Sequence, residues 1–258
     1  MQHLNVNGQQ LEVRLIKGPD TLAPVIFLHE GLGSVSMWTQ RGFDWPLAVC
    51  QASGRAGVVY SRRGYGQSGP VPAGRNVLQS DYLHCEAFDV LPALLAKLQI
   101  KRPVLLGHSD GASIVLLYAS QFKVTACIAM APHVMIESIA IDAIFQARRA
   151  FESGDLRRQL ARHHADVDGA FWQWNDVWLS AAFAGFDIRA ECSRISAPLL
   201  LIQGANDQYG TMRQLEEIAG VASHARQIRL ASCGHSPHRE QSKTSLEAIA
   251  EFLNEVAL

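Results

Sequence analysis

The apolar positions change their spacing along the chain, and each change predicts an element. At the start they alternate: Leu4 and Val6, then Leu11, Val13 and Leu15, on either side of Asn7-Gly8. Alternation is the period of a half-buried strand, and Asn-Gly supports the tightest hairpin turns, so two antiparallel edge strands are predicted. Short unbroken apolar runs follow at 24–29, 57–61, 103–108, 124–130 and 198–203, the signature of strands buried on both faces. Residues 226–230 read as one more strand. Between these runs the period becomes helical, around 38–52, over 81–98 (Leu83, Ala87, Val90, Leu91, Leu94, Leu95, Leu98), after position 109, over 211–221 and over 240–256. Strand and helix in alternation predict an α/β fold with a mostly parallel central sheet flanked by helices.

One region breaks this rhythm. From 134 to 186 the pattern gives helical segments at 137–152, 155–164 and 168–180 with no strand among them. Phe171, Trp172, Trp174 and Trp178 crowd into the third segment. The organisation expected is a core of 1–133 and 187–258, with 134–186 an α-helical cap inserted over the carboxyl edge of the sheet. The aromatic cluster either packs the cap onto the body or lines a pocket for an apolar or aromatic substrate portion.

Composition narrows the function. With 258 residues and 48% hydrophobic content the chain can bury a full core. A net charge of -1 without a basic stripe argues against nucleic acid or an anionic membrane as partner. The five cysteines (Cys50, Cys85, Cys127, Cys192, Cys233) are odd in number, scattered and without C-x-x-C spacing, so buried free thiols are expected rather than disulfides or a zinc site. His29, His108 and His133 lack metal-ligand spacing. The first residues show no basic region followed by an apolar core, and no apolar run is long enough to span a bilayer, so a cytoplasmic protein is expected.

The chemistry concentrates at Gly107-His108-Ser109-Asp110-Gly111, a G-x-S-x-G pattern between a buried strand and a helix. That context implies a sharp turn raising the Ser109 hydroxyl above the sheet, with the helix N-terminus aimed at it. Arg62 to Gly69 is a glycine-rich turn lacking the P-loop lysine, read as a structural turn held by arginine hydrogen bonds to carbonyls. A serine nucleophile needs a base, itself oriented by a carboxylate. Two loops past late strands carry such groups: Gly204-Ala-Asn-Asp207-Gln-Tyr-Gly210 and Cys233-Gly-His235-Ser-Pro-His238. His238 competes with His235, and Asp187 and Asp110 with Asp207. Asp187 is read as opening a short helix, Asp110 as pointing along the elbow helix and His238 as capping or packing the last helix.

These motifs, with the His29–Ser34 loop and Arg63-Gly64-x-Gly66-x-Ser68, resemble the α/β-hydrolase superfamily over nearly the whole chain. The resemblance implies an α/β-hydrolase fold with Ser109 as nucleophile, His235 as base and then acid, and Asp207 as its orienting partner. It implies oxyanion donors at the backbone N–H of Asp110 and of a loop residue, with Gly31 favoured. Candidate substrate-binding residues are Glu30, which stands where the family usually has glycine, together with His108, Trp172, Trp174 and Trp178. The activity implied is hydrolysis of a small carboxylic ester or lactone through an acyl-enzyme, with no cofactor. Haloalkane dehalogenases carry aspartate at the elbow. Hydrolases of C–C bonds in meta-cleavage products typically carry asparagine before the serine and often tryptophan after the histidine, where this chain has His108 and Ser236. Enzymes similar to valacyclovir hydrolase share Ser-Asp-Gly. Hydrolase-like small-molecule receptors are the alternative from another class.

Overall fold

The computed structural model describes residues 1–256. Its main sheet has eight strands in the order β1-β2-β6-β3-β7-β8-β9-β10. These are β1 (Gln2–Val6), β2 (Gln9–Ile16), β3 (Val25–Leu28), β6 (Gly57–Tyr60), β7 (Val104–His108), β8 (Ala126–Met130), β9 (Leu199–Gly204) and β10 (Arg226–Leu230). β1 and β2 form the expected hairpin, and both Asn7 (φ 49°) and Gly8 (φ 80°) take the left-handed conformation such a two-residue turn demands. β2 pairs antiparallel with β6, and all pairings from β6 to β10 are parallel.

The central strands are buried on both faces, which is why they read as unbroken apolar runs rather than alternations. Successive side chains still feed opposite layers. Ile26, Leu28 and Leu105 join one apolar cluster with Leu83, Leu91, Leu116 and Leu215, while Val25, Phe27, Val104 and Leu106 join the other with Trp45, Ile249 and Leu253. Burying each such side chain contributes about 1.5–3 kcal/mol. Leu15 ends outside both clusters, 52% exposed near the end of β2. Four cysteines are buried as expected, whereas Cys85 is exposed.

Two helix expectations need correction. The stretch 38–52 is not one helix: a 3-10 turn (Val35–Trp38) leads into a ribbon, β4 (Thr39–Gln40) and β5 (Phe43–Asp44), and only then α1 (Trp45–Ser53). Arg41 (φ 49°) and Gly42 (φ 79°) make the ribbon turn, and Asp44 caps α1 by accepting from the Leu47 amide (3.1 Å) just ahead of Pro46. At the other end a short α10 (Pro237–Glu240) is separated from α11 (Ser242–Val256). The 81–98 stretch is helical as α2 (Tyr82–Cys85) and α3 (Leu91–Lys97), joined by a wider π turn, Glu86–Val90.

α4 (Asp110–Gln121) follows β7 directly. Between β8 and β9 lie α5 (Ser138–Glu152), α6 (Asp155–Leu160), α7 (Val167–Trp178) and α8 (Arg189–Cys192), and α9 (Arg213–Val221) follows β9. Asp166 caps α7 by accepting from the Gly169 amide at 2.8 Å. Asp187 accepts from the Arg189 amide (3.1 Å), opening α8 as expected. His164 ties this helical region to the body: its Nδ1 accepts from the Gly66 amide (2.9 Å) and its Nε2 donates to the Leu32 carbonyl (3.0 Å).

Candidate active site

The turn from β7 into α4 puts Ser109 at φ 54°, ψ -119°, a strained conformation for a residue with a side chain. What holds it there is close packing. A Cβ on Gly107 would overlap the Gly111 carbonyl, and one on Gly111 would overlap the Leu28 carbonyl. Strand and helix therefore meet across bare backbone, and the serine projects from the crest into a cavity of about 680 Å³ at the carboxyl edge of the sheet.

Asp207 follows β9, and His235 follows β10. The parallel register of these strands brings both loops to the same edge. His235 Nδ1 donates to Asp207, 2.9 Å from each carboxylate oxygen, and Asp207 also accepts from the Tyr209 amide at 2.8 Å. Burial alone would raise the Asp207 carboxyl. The His235 hydrogen bond and charge and the Tyr209 amide outweigh it and hold the group below the usual carboxylate range. With the proton on Nδ1, Nε2 of His235 is the free base.

Ser109, His235 and Gly31 all line the cavity. Ser109 Oγ, His235 Nε2 and the backbone N–H groups of Gly31 and Asp110 make no hydrogen bond to the described residues. The Asp110 amide is the first of α4 and has no partner within the helix. Gly31 is glycine for a local reason, since a Cβ there would strike the Trp174 indole.

Other candidates divide. Glu30, His108, Trp174 and Trp178 line the cavity. Glu30 is bound by Arg239 (2.7 Å) and lies 3.5 Å from His108 Nδ1. Burial pushes its carboxyl up, but Arg239 and His108 win and hold it well below its ordinary value. His108 Nε2 donates to the His235 carbonyl (2.7 Å), which steadies the loop carrying His235. Trp172 does not line the cavity: it sits two positions from Trp174 on α7, about 200° around the helix, beneath the Arg75 guanidinium (3.7 Å). Asp110 does not extend its carboxylate freely along α4 but is fully buried against Tyr82 and Arg62. His238 packs against Trp38, Trp45 and His108. The Arg62–Gly69 turn is held as expected, with Arg62 and Arg63 donating to the Glu30 and Pro70 carbonyls.

The sequence reading missed His133, Tyr209 and Arg239, which also line the cavity. His133 lies three residues past Met130, the end of β8, at the same sheet edge as Ser109, and that position was the available signal. Burial, then the neighbouring His235, lowers its pKa to about 3, so its ring is neutral. Among the described residues no group of His, Cys, Asp and Glu is arranged to hold a metal ion, and no helix is long and apolar enough to cross a membrane.

No curated protein matches the sequence. Among solved structures, the enol-lactonase of Burkholderia xenovorans LB400 is 20% identical with a TM-score of 0.75, covering 97% of this chain and 99% of that one. A hydrolase from Pseudomonas aeruginosa PA01 is 22% identical with a TM-score of 0.74, covering 98% and 97%. A meta-cleavage product hydrolase from Pseudomonas fluorescens IP01 is 14% identical with a TM-score of 0.73, covering 99% and 98%. At such identities these structures share the fold. The model of the alpha/beta hydrolase family matches residues 25–248, which takes in the elbow and both late loops, and the chain belongs to that family.

Proposed function

We propose that the protein is a serine hydrolase that cleaves a small carboxylic ester or lactone through an acyl-enzyme. The observation that carries this reading is a strained serine hydroxyl, a histidine nitrogen backed by a buried carboxylate and the Gly31 residue on one cavity, with the unpartnered Asp110 amide next to the serine in the chain. Each has a role in acyl transfer. His235 Nε2 takes the Ser109 hydroxyl proton as Oγ attacks the carbonyl. The Gly31 and Asp110 amides receive the oxyanion, and the positive end of α4 favours it. His235 protonates the leaving oxygen, then activates water to release the acyl group, while Asp207 stabilises the imidazolium.

The residues 134–186 act in this reading as a cap whose Trp174 and Trp178 face the apolar part of the substrate. The polar side of the cavity carries Glu30 already paired with Arg239, so a substrate meets a neutralised pair there. Asp110 is ion-paired out of the cavity, so the Ser-Asp-Gly elbow offers no free carboxylate to a cationic substrate. The likeness in fold to an enol-lactonase accords with a lactone or ester substrate.

The test is turnover of nitrophenyl esters from acetyl to long acyl chains by wild type and Ser109→Ala. Hydrolysis by wild type that falls at least 10³-fold in the variant supports the reading. Equal trace rates in both overturn it and direct attention to C–C cleavage substrates or to ligand binding without turnover.

A further inference from the structure

Arg62 lies behind the elbow, fully buried, and does not line the cavity. Its guanidinium nonetheless reaches both halves of the oxyanion site. Nη2 donates to the Glu30 carbonyl at 3.0 Å, and Nη1 and Nη2 each lie 3.4 Å from Asp110 Oδ2. The Glu30 carbonyl belongs to the same peptide unit as the Gly31 N–H. A trans peptide is planar and its N–H points opposite to its C=O, so whatever fixes the carbonyl aims the amide.

That carbonyl is held from three directions. Besides Arg62, His29 Nδ1 donates to it at 2.7 Å and the Gly33 amide at 3.0 Å. His29 is in turn oriented by Arg62, whose backbone N–H donates to its Nε2 at 2.9 Å. On the other side, the Asp110 carboxylate also accepts from Tyr82 Oη (2.7 Å), and Tyr82 Oη accepts from Trp178 Nε1 (2.9 Å), a ring that lines the cavity. The guanidinium is a rigid planar fork and always charged, so it sets distance and angle to both acceptors at once.

We infer that Arg62 is a positioning residue that aligns the two oxyanion donors, Gly31 N–H through the Glu30 carbonyl and Asp110 N–H through its own carboxylate. The inference rests on the reading of Ser109 as nucleophile with those two amides as its oxyanion site. An oxyanion donor acts on the transition state and not on bound ester, so misalignment lowers kcat and leaves KM nearly unchanged.

The experiment compares wild type, Arg62→Lys and the double variant Arg62→Gln/Asp110→Asn. It measures kcat and KM on a nitrophenyl ester, inhibition by phenylboronic acid, which forms a tetrahedral anionic adduct on a serine, and thermal melting. In variants that melt cooperatively, kcat falls about 100-fold, KM stays within threefold, and the boronate inhibition constant rises in parallel with the loss of kcat. Arg62→Lys keeps the charge and loses the fork. The double variant removes both buried charges together and carries the test if the lysine variant fails to fold. The inference is overturned if a folded variant keeps kcat and boronate affinity within threefold of wild type. It is equally overturned if kcat falls with no matching loss of boronate affinity. Ser109→Ala separates the two layers: full turnover in that variant removes the underlying reading, whatever Arg62 does.

Discussion

Asp207 and Asp110 are both buried at the carboxyl edge of the sheet, and their partners send them to different tasks. Asp207 faces His235, an imidazole that can gain and lose a proton. Asp110 faces Arg62, a permanent cation, and Tyr82, whose hydroxyl burial holds protonated. The first carboxylate can follow a proton through a reaction. The second meets partners that neither give up nor take a proton and can only hold geometry. Burial and proximity to a serine therefore do not identify a catalytic acid; the proton behaviour of its partner does.

The widest separation is expected from removing one charge at a time. Asp207→Asn lowers ester turnover by about 10³–10⁴-fold with little effect on stability, because it favours the wrong imidazole tautomer. Asp110→Asn lowers turnover by about tenfold, since Arg62 still holds the Glu30 carbonyl, and costs about 2–4 kcal/mol of stability by leaving a buried guanidinium unpaired. Kinetics together with urea unfolding decide, and a larger kinetic loss in Asp110→Asn than in Asp207→Asn breaks the contrast.

Acid separates the two sides next. His133 and His238 pack around His108 and His235, and burial foremost lowers both below the ordinary histidine value. Below pH ~6.5 the unfolded chain binds protons that these folded rings refuse. Stability is therefore present above that pH and is lost as pH falls, by up to about 1.4 kcal/mol per pH unit for each ring. Urea midpoints at pH 7.5 and 5.5 measure the slope, and His133→Gln reduces it if the assignment holds.

Two tryptophans of α7 offer a smaller contrast. Trp174→Ala raises KM about tenfold by removing a cavity wall. Trp172→Ala leaves kcat and KM within about twofold and lowers stability by about 1–2 kcal/mol, through lost packing and the Arg75 contact. The smallest effect concerns Glu86, on the Arg62 side, whose carboxyl burial raises to about 7. Its neutral form suits the fold, so its contribution is complete below the usual carboxylate pKa and is lost as pH rises towards 7. Glu86→Gln is expected to stabilise by about 1 kcal/mol at pH 8 and by nothing measurable at pH 4 in melting curves.

Much of this was legible in the chain. Both-face-buried strands must be continuously apolar, so β3, β6, β7, β8 and β9 announced themselves, and Asn7-Gly8 permitted little but a hairpin. Ser109 and Asp207 stood out because each polar, turn-rich loop directly followed such a run, and His235 because its loop followed the strand over 226–230. The helix expected over 38–52 failed because an apolar period cannot register the left-handed Arg41-Gly42 turn that folds a ribbon first. Trp172 failed because crowding in sequence says nothing of which helix face meets the cavity.

The sequence by itself determined the order of elements, the alternating grammar of the sheet and the residue types able to do acyl chemistry, because local periodicity and turn preference act over a few residues. Tertiary structure alone decided what those residues meet. Arg62 and Asp110 are 48 positions apart, and Tyr82 and Trp178 are 96 apart. The first contact depends on parallel strands stacking distant loops at one edge and the second on α7 meeting α2, and no local pattern encodes a contact across that distance.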